Sequence, residues 1–344
     1  MPEVTVLMPV YNGAQYVGQA IDSILNQTYS SFELLILDDG STDGTREIIS
    51  RYRDERIRLL VNPERLKLSG ALNRGMLEAK GVFIARMDAD DISRPNRIER
   101  QVDYLHKNPG VAVCGAWVRR FGKGRKRVDR NPVEHEAIKA YSLFECPFSH
   151  PAVVFDRAKL ASAGLRYNGD YYPTEDYELW SRVVHLYPCA NIPQVLLDYR
   201  INPAGMTGSE WGDMDAQGVK IGNNNLRRMG VVASQDELIL HRNIGRAGGF
   251  RWQSLAQLQT ARGWLEKLWQ ANSVSNTYDT EALSKIFDLI WFRVCYHATP
   301  LGFEVFRDFW AGPRKCRRVM PISFAGIVLL AVIRNKLAKQ SPNC

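Results

Sequence analysis

Along its first two hundred residues the chain alternates between short unbroken apolar runs and stretches whose apolar residues recur every three to four positions. An apolar run of four to eight residues reads as a buried strand, and the longer period reads as an amphipathic helix. On this pattern strands fall at residues 4–9, 32–37, 57–61, 82–87 and 111–121. Helices fall between them at about 15–26, 45–52, 69–80 and 96–108, and Gly81 stands where a C′ glycine would stop the third. A basic stretch at 122–130 reads as a solvated, mobile loop. Beyond it the pattern predicts a helix near 133–144, a strand at 152–156, a helix at 175–185 and two short strands at 188–192 and 195–200. Strand–helix alternation predicts an α/β fold whose parallel sheet is covered by helices on both faces. From about Asp213 the pattern is helical, so we expect a boundary near residue 210, with a sheet domain at 1–210 and a helical region at 211–344.

Chemistry enters where polar residues interrupt this pattern. The run at 82–87 ends abruptly in Asp88-Ala89-Asp90-Asp91. The carboxyl end of a buried strand is where α/β sheets place ligands. In extended chain Asp88 and Asp90 point to one side. Two oxygen donors that close suit Mg²⁺ or Mn²⁺, with a diphosphate completing the shell. The plainer reading is a turn that leads into the helix Pro95 introduces; one acid would suffice for that. Asp38 and Asp39 close the second strand at the same sheet edge, where a carboxylate accepts from a base N–H or a ribose hydroxyl, or else forms an Asx turn. Arg86, inside a buried run, needs a carboxylate or phosphate partner. Thr174-Glu175-Asp176 opens a helix, with Thr174 as N-cap and two acids in the first turn. The same acids are candidates for a general base, ionised at neutral pH and able to take a proton from an alcohol. His150, Trp180 and Arg200 are candidates for contact with an acceptor or a diphosphate.

The first strand–helix turn excludes two phosphate-binding classes. Residues 9–14 read Pro-Val-Tyr-Asn-Gly-Ala, neither G-x-G-x-x-G nor a P-loop. Formal charge is +8, which favours anionic partners such as nucleotides, lipid diphosphates or an anionic membrane surface. No aromatic-and-basic signature supports nucleic acid. Six scattered cysteines without a C-x-x-C pair argue against zinc ribbons and redox motifs. The absence of a leader pattern and of an 18-residue apolar run leads us to expect a cytoplasmic protein without a spanning helix.

Taken together these stretches resemble the family 2 glycosyltransferases of bacterial surface-polysaccharide synthesis, which have the GT-A fold. The resemblance rests on residues 4–13, 23–28, 37–44, 71–75, 85–95, 149–151 and 175–180, in that order. It implies a Rossmann-like, mostly parallel sheet, a nucleotide-sugar donor, a divalent cation and inversion at the anomeric carbon. By motif it implies that Pro9, Tyr11 and Asp39 flank the base with Asp38 beside them. It further implies that Asp88 approaches the ribose, Asp90 binds metal and Asp176 is the base. The acceptor so implied is a saccharide, and a lipid-linked one suits a basic protein at the cytoplasmic leaflet. Two departures stand out: Lys67 where the family often has glycine, and residues 202–207 where it often has a histidine and a small-polar loop. The rival readings are a sugar-phosphate nucleotidyltransferase, which needs a glycine-rich triphosphate loop, and a non-catalytic sugar-binding module, which needs no carboxylate cluster.

The tail carries a further apolar stretch at 319–333, flanked by Arg314, Lys315, Arg317 and Arg318 before it and Arg334, Lys336 and Lys339 after it. Trp264, Trp269, Trp291, Phe292 and Trp310 lie upstream and read as aromatic surface. The stretch predicts either a buried helix or one lying in the plane of an anionic membrane surface.

Overall fold

The structure is a computed structural model, and it describes residues 1–123, 126–202, 211–312 and 322–340. The chain divides into two compact units: residues 1–138 with 146–217, and residues 139–145 with 218–344.

The first unit is built on a nine-stranded mixed sheet in the order β3-β2-β1-β4-β8-β6-β9-β5, with β7 added on β6. The strands are β1 (Val4–Val10), β2 (Phe32–Asp38), β3 (Ile57–Val61), β4 (Phe83–Arg86), β5 (Ile92–Ser93), β6 (Val113–Gly122), β7 (Arg127–Asp129), β8 (Val154–Asp156) and β9 (Cys189–Ile201). β1 pairs in parallel with both β2 and β4, and all seven of its residues are buried. Burial on both faces is why these strands are unbroken apolar runs rather than alternating ones. The period of two still sorts them: Val4, Val6, Met8, Leu34 and Ile36 pack on one face, and Leu7, Leu35 and Leu37 on the other.

Helices α1 (Val17–Leu25), α2 (Thr45–Ser50), α3 (Lys67–Glu78) and α4 (Arg97–Lys107) follow β1, β2, β3 and β5, and α5 (His135–Tyr141), α6 (Arg157–Ser162) and α7 (Glu175–Val183) come later in the chain. Ala20, Ile21 and Ile24 of the apolar stripe that predicted α1 are buried, together with Val17. α3 ends at Glu78, and Ala79 is already extended, so Gly81 is not its C′ residue. Gly81 is required for a different reason. A Cβ there would lie 2.6 Å from Val4 C and run into Thr5 N, so only glycine lets the chain enter β4 beside β1.

Three further expectations are corrected. The sheet is mixed, because β8 runs antiparallel to both β4 and β6, and β5 antiparallel to β9. The two short strands at 188–192 and 195–200 are one strand, β9; its register against β6 jumps from Ile192 to Val195, so Pro193, which lacks a donor, falls in a bulge. The basic stretch at 122–130 contains β7, where Asp129 pairs with Arg120 and Arg127. Gly124 and Arg125 lie outside the described residues.

The second unit is helical, with helices Gln235–Gly245, Leu255–Ser275, Thr280–Ala298, Glu304–Ala311 and Ile322–Gln340. Leu258, Leu265, Leu268, Phe287, Ile290, Val294 and Val328 meet in one core. Trp264 and Trp291 belong to that core and Trp269 and Phe292 pack against it, so of the expected aromatic surface Trp310 is exposed. His241 is held inside it, accepting from Trp264 Nε1 at 3.1 Å and lying 2.9 Å from the Leu143 carbonyl. Arg314, Lys315, Arg317 and Arg318 lie outside the described residues, as do residues 203–207.

Candidate active site

The carboxyl ends of β1, β2 and β4 open into a cavity of about 600 Å³, lined among others by Pro9, Tyr11, Asp39, Asp88, Asp90 and Tyr172. Parallel strands end on the same edge, so three sequence-distant turns are brought to one place. Tyr11 is exposed, and the Arg65 guanidinium lies 3.8 Å from its ring centre. The turn after β1 is pinned to the turn after β2. Asn12 N donates to Ser41 Oγ at 2.9 Å, Gly13 N to Thr45 Oγ1 at 2.9 Å and Ala14 N to Asp43 Oδ2 at 3.0 Å. Those amides are consumed by side chains, so they form no phosphate nest.

Asp38 and Asp39 part ways here. Asp38 is fully buried, accepts from Ser41 N at 3.0 Å and is paired with Arg46. It holds the turn together and does not reach the cavity, which corrects its place among the donor contacts. Asp39 does line the cavity, and its Oδ1 accepts from Asn62 Nδ2 at 2.6 Å and Leu66 N at 2.8 Å.

At the end of β4, Asp88, Asp90 and Asp91 each offer a carboxylate oxygen, all within 4.8 Å of one another. Burial, reinforced by Asp88, pushes Asp90 up to about 6; burial with Asp88 and Asp90 pushes Asp91 well above the carboxylate range. Asp91 Oδ2 is buried without a hydrogen-bond partner. Arg86 is buried and ion-paired to Asp88; burial works against its charge and Asp88 more than offsets that. Arg97 and Arg200 also act on these acids, yet the carboxylates still raise one another, and the bare Asp91 Oδ2 leaves an oxygen for a cation. An all-oxygen set of this spacing fits a hard dication such as Mg²⁺ or Mn²⁺.

Arg200 does not face the cavity as a free cation, contrary to its expected diphosphate contact. Its guanidinium lies 4.2 Å from the Tyr16 ring centre and 4.4 Å from that of Phe121. Its Nε donates to the Asp90 carbonyl at 2.7 Å, its backbone N to Asp91 Oδ1 at 2.7 Å and its Nη2 to Gln19 Oε1 at 2.8 Å. Arg200 therefore positions the acids.

Helix α7 (Glu175–Val183) presents the second pair of acids. Thr174 occupies the N-cap position, but its hydroxyl donates to the Tyr171 carbonyl at 3.0 Å rather than capping. Asp176 is partly exposed; Tyr177 N donates to its Oδ1 at 2.7 Å and the Cys146 thiol to its Oδ2 at 3.7 Å. Burial raises its pKa, and the donors and Arg86 hold it back. Glu175 is only 2% exposed, and burial together with Asp176 lifts it to about 7. A carboxyl so enclosed does not touch an acceptor, which corrects its candidacy as a base. Trp180 is corrected too. It is fully buried among Phe148, Phe155, Tyr167 and His150, on the inner face of α7. His150 Nε2 lies 2.9 Å from the Tyr167 hydroxyl, and burial and Arg86 hold its pKa well below the ordinary value, so it is neutral.

A family model described as Glycosyl transferase family 2 matches residues 5–160. The amylovoran biosynthesis glycosyltransferase AmsE of Erwinia amylovora is 34% identical over 202 residues, covering 57% of this chain and 75% of that protein. An Escherichia coli protein named UDP-Gal:alpha-D-GlcNAc-diphosphoundecaprenol beta-1,3-galactosyltransferase is 31% identical over 208 residues, 58% of this chain and 75% of that one. The crystal structure of S. aureus TarS in complex with UDP-GlcNAc superposes with a TM-score of 0.58 at 15% identity, over 92% of this chain and 90% of that one, and shows the shared fold. The stretch matched by the family model contains the cavity's lining residues from Pro9 to Asp90, and the chain belongs to glycosyl transferase family 2.

Proposed function

We propose that the protein moves a sugar from a nucleoside-diphosphate donor to a hydroxyl of a saccharide acceptor, inverting the anomeric carbon. The observation that carries this is the single cavity in which Tyr11 and Asp39 stand beside Asp88 and Asp90. An aromatic face and a carboxylate suit a base and ribose, and acids whose oxygens lie within 4.8 Å of one another suit a cation–diphosphate. Asp90, with Asp88 and Asp91, would hold Mg²⁺ or Mn²⁺, which would supply Lewis-acid stabilisation of the leaving diphosphate. Asp88, tied to Arg86, and Asp90 and Asp91, tied to Arg200, are held in place before the donor arrives. Asp176 takes the acceptor proton as the new C–O bond forms and the bond to the diphosphate breaks. Its raised pKa brings a carboxylate closer to the operating pH, which favours general-base work. One displacement gives inversion.

The relatives' names support an acceptor on a lipid-linked saccharide of a surface polysaccharide. No described helix is long and apolar enough to cross a membrane. The helix Ile322–Gln340 buries Val328 and Val332 but exposes Ile327, Leu330 and Ile333, and this outward row fits attachment in the plane of an anionic cytoplasmic leaflet. Side-chain oxygens accept from the amides of residues 12–14, which disfavours the nucleotidyltransferase rival, since it needs those amides for a triphosphate. Incubation with Mn²⁺, a panel of nucleotide sugars and diphosphopolyprenol-linked saccharides should yield an extended saccharide of inverted configuration. Formation of a nucleotide sugar from a triphosphate and a sugar phosphate, with no transfer, would overturn the reading.

A further inference from the structure

Lys67 opens α3 with φ of +57°, the left-handed region that L side chains avoid and glycine or asparagine tolerates. Backbone of this kind is kept where the side chain has work to do. Lys67 lines the cavity that Asp88 and Asp90 also line. It has no ion-pair partner among the described residues; its ammonium lies 5.9 Å from the centre of the Tyr172 ring. The cavity's other cation, Arg65, is already seated on Tyr11. The loop that delivers Lys67 is fixed at its preceding residue, where Leu66 N donates to Asp39 Oδ1. A strained, anchored and uncompensated cation thus faces a cavity whose remaining charge is acidic.

We propose that Lys67 is a specificity-determining contact of this cavity, its ammonium binding an anionic group of the donor: the diphosphate, or a carboxylate carried on the sugar. This rests on the donor-site reading above. It gives the site a fixed positive charge of the protein's own, opposite in sign to the Asp88–Asp90 side, so that an anion is received between the two.

The test is calorimetric titration, with Mn²⁺ present, of the wild type, Lys67→Gly, Lys67→Asn and Lys67→Arg. UDP, GDP and dTDP are titrated first, and the nucleotide that binds is followed by its neutral-hexose and hexuronate derivatives. Gly and Asn accept the left-handed backbone, so both variants should melt at or above the wild-type temperature. Both should bind about tenfold more weakly, with a flatter salt dependence, while Lys67→Arg keeps most of the affinity. Equal loss for the bare diphosphate and the neutral-hexose donor assigns Lys67 to the diphosphate; loss confined to the hexuronate assigns it to the sugar. Wild-type affinity for every ligand in both variants would overturn the Lys67 assignment alone. Failure of the wild type to bind any nucleotide would instead overturn the donor site beneath it.

Discussion

Replacing Glu175 with glutamine separates the two acids of α7. Glu175 is 2% exposed and its carboxyl is lifted from an ordinary 4.5 to about 7, first by burial and then by Asp176. The folded state therefore holds this proton more tightly than the unfolded chain does. Stability that the group contributes is present in full below about 4.5 and is lost as pH rises through about 7. The ionised group costs the fold about 3 kcal/mol at pH 8, at about 1.4 kcal/mol per pH unit. Glutamine keeps the shape and cannot ionise. Its amide needs a partner that Glu175 Oε2 lacks, which removes about 1 kcal/mol of the gain. We therefore expect Glu175→Gln to lie about 0.5 kcal/mol below the wild type near pH 4.5 and to exceed it by about 2 kcal/mol at pH 8. For a unit of this size that is a rise in melting temperature of about 4–8 °C. Scanning calorimetry of both proteins across pH 4.5–8 in EDTA is the assay. Parallel pH profiles would refute the assignment of a titrating, enclosed carboxyl at Glu175. Transfer by the variant should persist, because the base we propose is Asp176.

Asp176→Asn should leave donor affinity intact and slow transfer by about 10²–10⁴-fold, the usual worth of a positioned base; collapse of donor binding would make Asp176 structural. Arg200→Ala removes both the Asp90 tether and the cation between Tyr16 and Phe121. It should weaken Mn²⁺ binding by about tenfold or more while the far-ultraviolet dichroism stays unchanged, and unaltered metal affinity would contradict its positioning role.

The order of strands and helices in the first unit is written in local pattern, because each β1–β4 strand is an apolar run closed by a polar turn. The acids at the end of β4 are legible for the same reason: the strand's apolar run stops at Met87 and the acids begin at Asp88. Partners brought from far along the chain are not legible locally. Arg200 reaches Asp91 across 109 positions, because β9 pairs with β5 and not because of anything near either residue. The different fates of Asp38 and Asp39 follow from the period of two at a strand end, which sends one carboxylate inward to Arg46 and the other to the cavity. Trp180 shares a motif with Glu175 and Asp176, yet its position on α7 turns it into the core. The left-handed Lys67 leaves no periodic trace; its signal is a lysine where the family often has glycine.

The central claim is that the acids at the end of β4 hold a divalent cation that anchors a nucleoside-diphosphate donor. Titrating nucleoside diphosphate into the metal-stripped protein, with and without Mn²⁺, tests it directly, with Asp90→Ala alongside. The account predicts binding that strengthens sharply with Mn²⁺ in the wild type and loses that dependence in Asp90→Ala, whose melting temperature in EDTA is unchanged or higher because a half-buried, repelled carboxylate is gone. Equal Mn²⁺ dependence in both proteins, or tight binding indifferent to the metal, would contradict it.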